Sequence, residues 1–214
     1  MPQVKKNKTI TILFAIFITL FVVVAAFGFG FYKLYFTEIN DSTMVKIADS
    51  LRLPIARVGD NYISYHDFLF IKDTFTRHMS DDEKSKYSSI LVSSIMEQLI
   101  YQSIIQGLAD KWDIKVSDKE VDEFFNEWSK SDNAPKDIDK FLSEKYDWSV
   151  SDYKEHVVKP SLLANKVNTK FSEEHKDKGN LVEYIKDYRK SSNVVIFLQT
   201  IKPLPPLGNP SISK

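Results

Sequence analysis

The sequence predicts a mainly α-helical chain closed by one small β-sheet, and three observations predict it. Between residues 64 and 190 the apolar side chains recur every three or four positions, the period of an amphipathic helix. Several of these segments open on a serine followed three residues later by an acid, the sequence form of an N-terminal capping box. The two runs that read as strand, 55–63 and 193–201, stand at the far ends of the helical part.

The chain begins with a different kind of segment. Residues 10–32, "ITILFAIFITLFVVVAAFGFGFY", carry no charge. As a helix they would span ~34 Å, enough for a hydrocarbon core. Lys5, Lys6 and Lys8 precede the run, and Glu38 and Asp41 follow it after the single Lys33. The positive-inside bias then leaves residues 1–9 in the cytoplasm, makes 10–36 a transmembrane helix and sends the rest across the inner, cytoplasmic membrane. The alternative is a cleaved signal peptide, with Val24, Ala25 and Ala26 as its small-residue site. The run continues apolar through Phe36, longer than a signal h-region, which favours an uncleaved anchor.

Residues 37–54 place Met44, Ile47, Ala48 and Leu51 at helical spacing before Pro54. They read as a short amphipathic stalk near the membrane or as a plain linker. A strand at 55–58, a Gly59-Asp60-Asn61 turn and a return at 62–63 lead into a helix capped by Ser64 and Asp67. Ser80 and Glu83 open a helix of roughly thirty residues that runs to Trp112. Ser117 and Glu120 open the next, through Phe124, Phe125 and Trp128. Pro135 suits the first position of a short helix holding Ile138, Phe141 and Leu142. Ser151 is expected to cap a helix through Tyr153, Val157 and Leu163, with Pro160 kinking it rather than ending it. A polar break at 175–180 precedes a last helix, "LVEYIKDYRK". The β-branched run 193–201 follows, then a Pro-rich tail, 203–214, expected to be disordered. A lone hairpin is marginal in water. The strand at 55–58 therefore needs a partner, and 193–201 is its natural one, so the domain 55–202 should be closed by its own two ends.

Composition excludes several functions. There is no cysteine, so disulfides, thiolate catalysis and Cys-ligated zinc are absent. Lys5, Lys6, Lys8 and Lys33 are the only charged residues of 1–36, which leaves 25 basic against 29 acidic residues beyond. A mildly acidic body is a poor match for nucleic acid. His66, His78, His156 and His175 show no metal-ligand spacing, and first-turn acids such as Asp81 and Asp118 are explained by the helix macrodipole. No phosphate-cradling glycine loop or nucleophile elbow occurs. The residues therefore offer no catalytic, cofactor or metal site. The aromatic set Phe124, Phe125, Trp128, Phe141, Tyr146, Trp148 and Tyr153 reads either as core packing or as an exposed cradle for apolar chain segments.

"IARVGDNYISYHDF", "IMEQLIYQSIIQGLADKWDIKVSDKEVDEFF", "DIDKFLSEKYDWSVSDYKEHVVKPSLLANKV" and "YIKDYRKSSNVVIFL" occur in an order and at spacings that resemble the N-terminal chaperone domain of the SurA, PrsA and PpiD family, itself akin to the chaperone core of trigger factor. The resemblance covers about residues 54–200. It implies a membrane-anchored, ATP-independent extracytoplasmic folding factor of the cell envelope that binds unfolded or nascent exported proteins, with no cofactor. Trp128, Phe141, Trp148 and Tyr153 are the candidate client-binding residues. Many relatives carry a parvulin-type prolyl isomerase domain before the closing strand, which needs roughly a hundred residues. Between Val167 and Asn193 there is room only for a connector and one helix. The expected protein is thus not an enzyme. A degenerate isomerase and a structural adaptor that docks one envelope partner are the alternatives.

Overall fold

The computed structural model describes residues 8–36, 42–174, 180–191 and 193–198. The expectations for residues 1–7 and for the tail 203–214 lie outside them. α1 (Lys8–Phe36) is one continuous helix of 29 residues, ~43 Å long. Much of its apolar run, including the side chains of 10–17, lies outside the described ones. Among the described residues no helix is long and apolar enough to cross a membrane. α2 (Ser42–Ser50) follows and ends on Arg52 at φ 47°, with the Leu53 N–H returning to the Ala48 carbonyl. That closes the helix with a left-handed residue.

β1 (Pro54–Val58) turns into β2 (Asn61–Ser64) across Gly59 and Asp60. Gly59 sits at φ 60°, and a Cβ there would lie 2.7 Å from the Tyr188 hydroxyl, so glycine serves both the turn and the close packing. β3 (Val194–Ile196) pairs antiparallel with the other edge of β1, with Ala56 opposite Ile196 and Val58 opposite Val194. The sheet order is β2-β1-β3. The two ends of the domain do meet, as the lone-strand argument requires. The closing strand is shorter than the expected 193–201: residues 193, 197 and 198 lie outside it, and 199–201 lie outside the described residues.

α3 (Tyr65–Thr76), α4 (Asp81–Lys111) and α5 (Asp118–Ser129) begin at the predicted caps, and in each the serine hydroxyl accepts from the N3 amide while the N3 carboxylate accepts from the serine. Two boundaries differ from expectation. α6 (Ile138–Tyr146) starts three residues beyond Pro135, because the Asp137 carboxylate accepts from the Lys140 N–H at 3.0 Å and so supplies the cap. α7 (Val150–Tyr153) is capped by Ser149, not Ser151. The acid decides it: Asp152 stands three residues after Ser149 and bonds its amide and hydroxyl, whereas Lys154 stands three after Ser151.

Pro160 does not end the helix. α7 widens into a π turn (Lys154–Val158) that leads directly into α8 (Lys159–Glu174). The Lys159 N–H donates to the Lys154 carbonyl five residues back, so the extra residue is taken up immediately before the proline, whose ring would clash with a normal α turn. α9 (Leu181–Lys190) is capped by Asn180.

α4 is the spine. Its Ile95, Met96, Leu99, Ile100, Ile104 and Leu108 bury against the sheet, α8 and α9. A second, smaller core holds Val121, Phe125 and Val158. With Leu142 of α6, also buried, this gives the lobe formed by α5–α7 far fewer buried side chains than the main core. The lobe therefore depends on its docking to the main core. Arg77 pairs with Asp147 at 2.8 Å, Phe70 stacks on Trp148, and Lys166 donates to the Lys115 carbonyl.

Candidate functional site

A groove of about 900 Å³ runs between α3 and α8, over α4. Buried Ile105 and Ala109 of α4 and Ile63 of β2 close its floor, half-buried Ile71, Leu163 and Ala164 give its walls apolar surface, and Gln102 and Gln106 of α4 add amides to the lining. The 3.6-residue period explains the floor, since buried positions of α4 turn the stripe Leu99, Ile105 and Ala109 toward the space between its neighbours. The strand β2 closes one end through Asn61 and Tyr62, and the π turn closes another through Glu155 and His156. Tyr62 and Tyr101 line the groove with exposed rings, 63 % and 41 % accessible. Phe70 lies 4.2 Å from the His156 ring between centroids, so the rings that dock the small lobe also line the groove.

The charged rim is mostly self-paired. Asp113 bonds Lys115 at 2.6 Å, and the contact holds its carboxyl below and the ammonium above their usual values. Glu155 bonds Lys159 at 3.1 Å. The His66 ring sits 2.7 Å from Asp49. The remaining walls offer hydroxyl, amide and carboxylate groups around an apolar trough, which suits noncovalent capture of a chain segment. Among the described residues no group of acids and histidines could hold a metal ion.

The four aromatic candidates lie elsewhere. Trp128 stacks on Tyr153 at 5.3 Å, and both flank Phe125 in the small core. Phe141 meets Tyr146 edge-on, and Tyr146 meets Trp148. Trp148 covers Phe70 at 5.6 Å. All four are half-buried. They hold the small lobe together and to α3, while among the described residues of the body the exposed large apolar side chains are Leu51, Tyr62, Phe75, Tyr87, Ile90, Tyr101, Phe124, Val182 and Val195. The sequence carried one signal for the groove. The apolar stripe of α4 is wider than one packing face, with Ile104, Ile105, Leu108 and Ala109 nearly contiguous.

A model of the SurA-like N-terminal domain matches residues 1–154. The chain belongs to that family. Its members are of chaperone type or associated with prolyl isomerases. The SurA-like match ends at the beginning of the π turn, and α8, α9 and β3 then complete the main core of this member. No curated protein and no solved structure matches the chain.

Proposed function

We propose that this SurA-like protein is a membrane-anchored, ATP-independent chaperone of the cell envelope. The body faces outward from the cytoplasmic membrane, and exported polypeptides are its clients. The observation that carries the reading is the groove between α3, α4 and α8, with half-buried apolar side chains and exposed tyrosines on its walls and polar groups on its rim. Such a trough can bury an apolar segment of an unfolded chain while the rim bonds the segment's backbone. Binding that favours the unfolded client lowers the concentration free to aggregate, by mass action. No bond in the client changes, so the protein acts as a binder and not as an enzyme. The anchor is supported by the uncharged run 10–32 behind Lys5, Lys6 and Lys8.

The test uses the full chain in phospholipid nanodiscs. Sub-stoichiometric to equimolar protein should suppress the aggregation of an unrelated unfolded protein without nucleotide. Tyr62→Ser and Tyr101→Ser, in the groove, should weaken suppression. Val182→Ser, exposed but remote from it, should not. Equal suppression by all three variants would remove the groove from the reading.

A further inference from the structure

The groove also has a charge signature, and it leaves two carboxylates over. Asp113 and Glu155 are neutralised by Lys115 and Lys159. Asp110 accepts only the side-chain amide of Gln106, at 2.8 Å. Asp67 accepts from the Ser64 amide and hydroxyl, at 3.3 Å and 2.6 Å, as the acid of a capping box. Among the described residues no cation lies within ion-pair distance of either, and both line the groove, on α4 and on α3. Tyr62 and Tyr101 add exposed ring faces, which attract cations as well as apolar groups.

Length sets the size of the occupant. Leu99 to Asp110 of α4 line the trough. Eleven helical steps cover ~17 Å, the span of about five residues of extended chain.

Resting on the chaperone reading above, we infer that the groove selects short extended segments in which apolar residues are interrupted by one lysine or arginine. The apolar side chains pack against Ile71, Leu163 and Ala164, and the cation is received by Asp110, with Asp67 lining the same groove on α3. A segment carrying an acid at that place meets unpaired carboxylates of like charge, the exposed Asp110 and the half-buried Asp67, and binds less well. The 29 acidic against 25 basic residues beyond residue 36 act in the same direction at long range.

Three labelled peptides with the same five-residue apolar core decide it, differing by a central Gln, Lys or Glu. Their binding to the full chain is read by fluorescence anisotropy in nanodiscs of zwitterionic phosphatidylcholine, which gives the cation no bilayer charge to seek. The Lys peptide should bind about 2–5-fold more tightly than the Gln peptide, within the range of one exposed ion pair. The Glu peptide should bind more weakly than both. Asp110→Asn should bring the Lys and Gln peptides together and leave the Gln peptide unchanged, whereas Asp82→Asn, at the far end of α4, should leave the preference intact. Asp67 is spared because it caps α3. Equal binding of all three peptides, or a Lys preference that survives Asp110→Asn, overturns the charge selection and leaves the chaperone reading standing. Failure of every peptide to bind, together with failure to suppress aggregation, overturns both.

Discussion

The Tyr35 hydroxyl, near the end of α1, donates to the carbonyl of Pro54 at 2.9 Å, at the start of β1. The first helix is therefore built into the body rather than hung from it. Leu34 is buried in the main core, and Phe31 and Tyr35 pack against it. Gly30 lies so close to α2 that an added Cβ would sit 2.6 Å from Cε of Met44 and 2.7 Å from its Sδ. If α1 spans the membrane, about twenty of its residues are consumed by the hydrocarbon. The last turns remain to clamp the body, and the groove is held at a fixed attitude to the bilayer.

That clamp predicts a mutational order. Gly30→Ala displaces only the flexible end of Met44 and should be tolerated, while Gly30→Leu should separate α2 from α1. Tyr35→Phe should cost about 1 kcal/mol, the net value of one hydrogen bond. The chain has no native cysteine, so spin labels at Phe29 and Phe124, both exposed, are unambiguous. Their distance distribution should be narrow in the parent and broad in Gly30→Leu. A broad distribution in the parent would mean a flexible tether.

The sheet predicts a second outcome. β3 supplies its ladder to β1, and two bonds extend it: the Gly59 N–H to the Asn193 carbonyl and the Phe197 N–H to the Ile55 carbonyl, each 2.8 Å. Truncation after Ser191 leaves these β1 groups unpaired and opens the buried Leu198 site. The truncated chain should lose cooperative unfolding by circular dichroism. A melt like that of the full chain would show that β3 merely decorates the sheet.

The sheet was also the most legible part of the fold, because an orphan strand must find its partner and the sequence offers one candidate. The caps at Ser64, Ser80 and Ser117 were legible for a similar reason, as each is decided by two residues three apart. Ser149 was misread as Ser151 because two serines compete and only the downstream acid separates them. The π turn could not be foreseen: a proline announces a perturbed helix, not whether it kinks, stops or takes up an extra residue. The groove was hidden for a deeper reason. It is assembled from residues of β2, α3, α4 and α8, of which only the wide apolar stripe of α4 is a local pattern. Aromatic density, as in 124–153, is visible in one dimension, whereas burial is not.

Acid should weaken the joint between the lobe and α8. Lys166 pairs with Glu120, and this bond is the first cause, with the Ser117 amide and hydroxyl next, that lowers the Glu120 carboxyl to about 2. A carboxyl depressed in the folded state binds fewer protons there than when unfolded. Its stabilisation is complete above the ordinary value of 4.5 and is lost as pH falls toward 2. Urea midpoints should fall between pH 5 and pH 2 in the parent, and this fall should be shallower in Glu120→Gln. Parallel curves would show that the carboxylate is as easily protonated in the fold as out of it.

The last prediction separates the small lobe from the groove. Trp128 and Tyr153 stack on one another and both pack against the buried Phe125 in the small core. Removing a fully buried aromatic side chain costs ~3–5 kcal/mol. These two are half-buried, so Trp128→Ala and Tyr153→Ala should each cost about 2–3 kcal/mol. The loss should appear as early unfolding of the lobe, read by hydrogen exchange in α5 and α7, with α4 still protected. Tyr62 and Tyr101 are exposed and should cost little when changed to Ser. Client capture should follow the opposite pattern, falling for the tyrosines of the groove and persisting for the stacked pair at temperatures where the lobe is still folded. If instead Trp128→Ala leaves exchange in the lobe unaltered and abolishes aggregation suppression, the stacked rings themselves are the client surface. The groove would then be a crevice between helices with no client of its own.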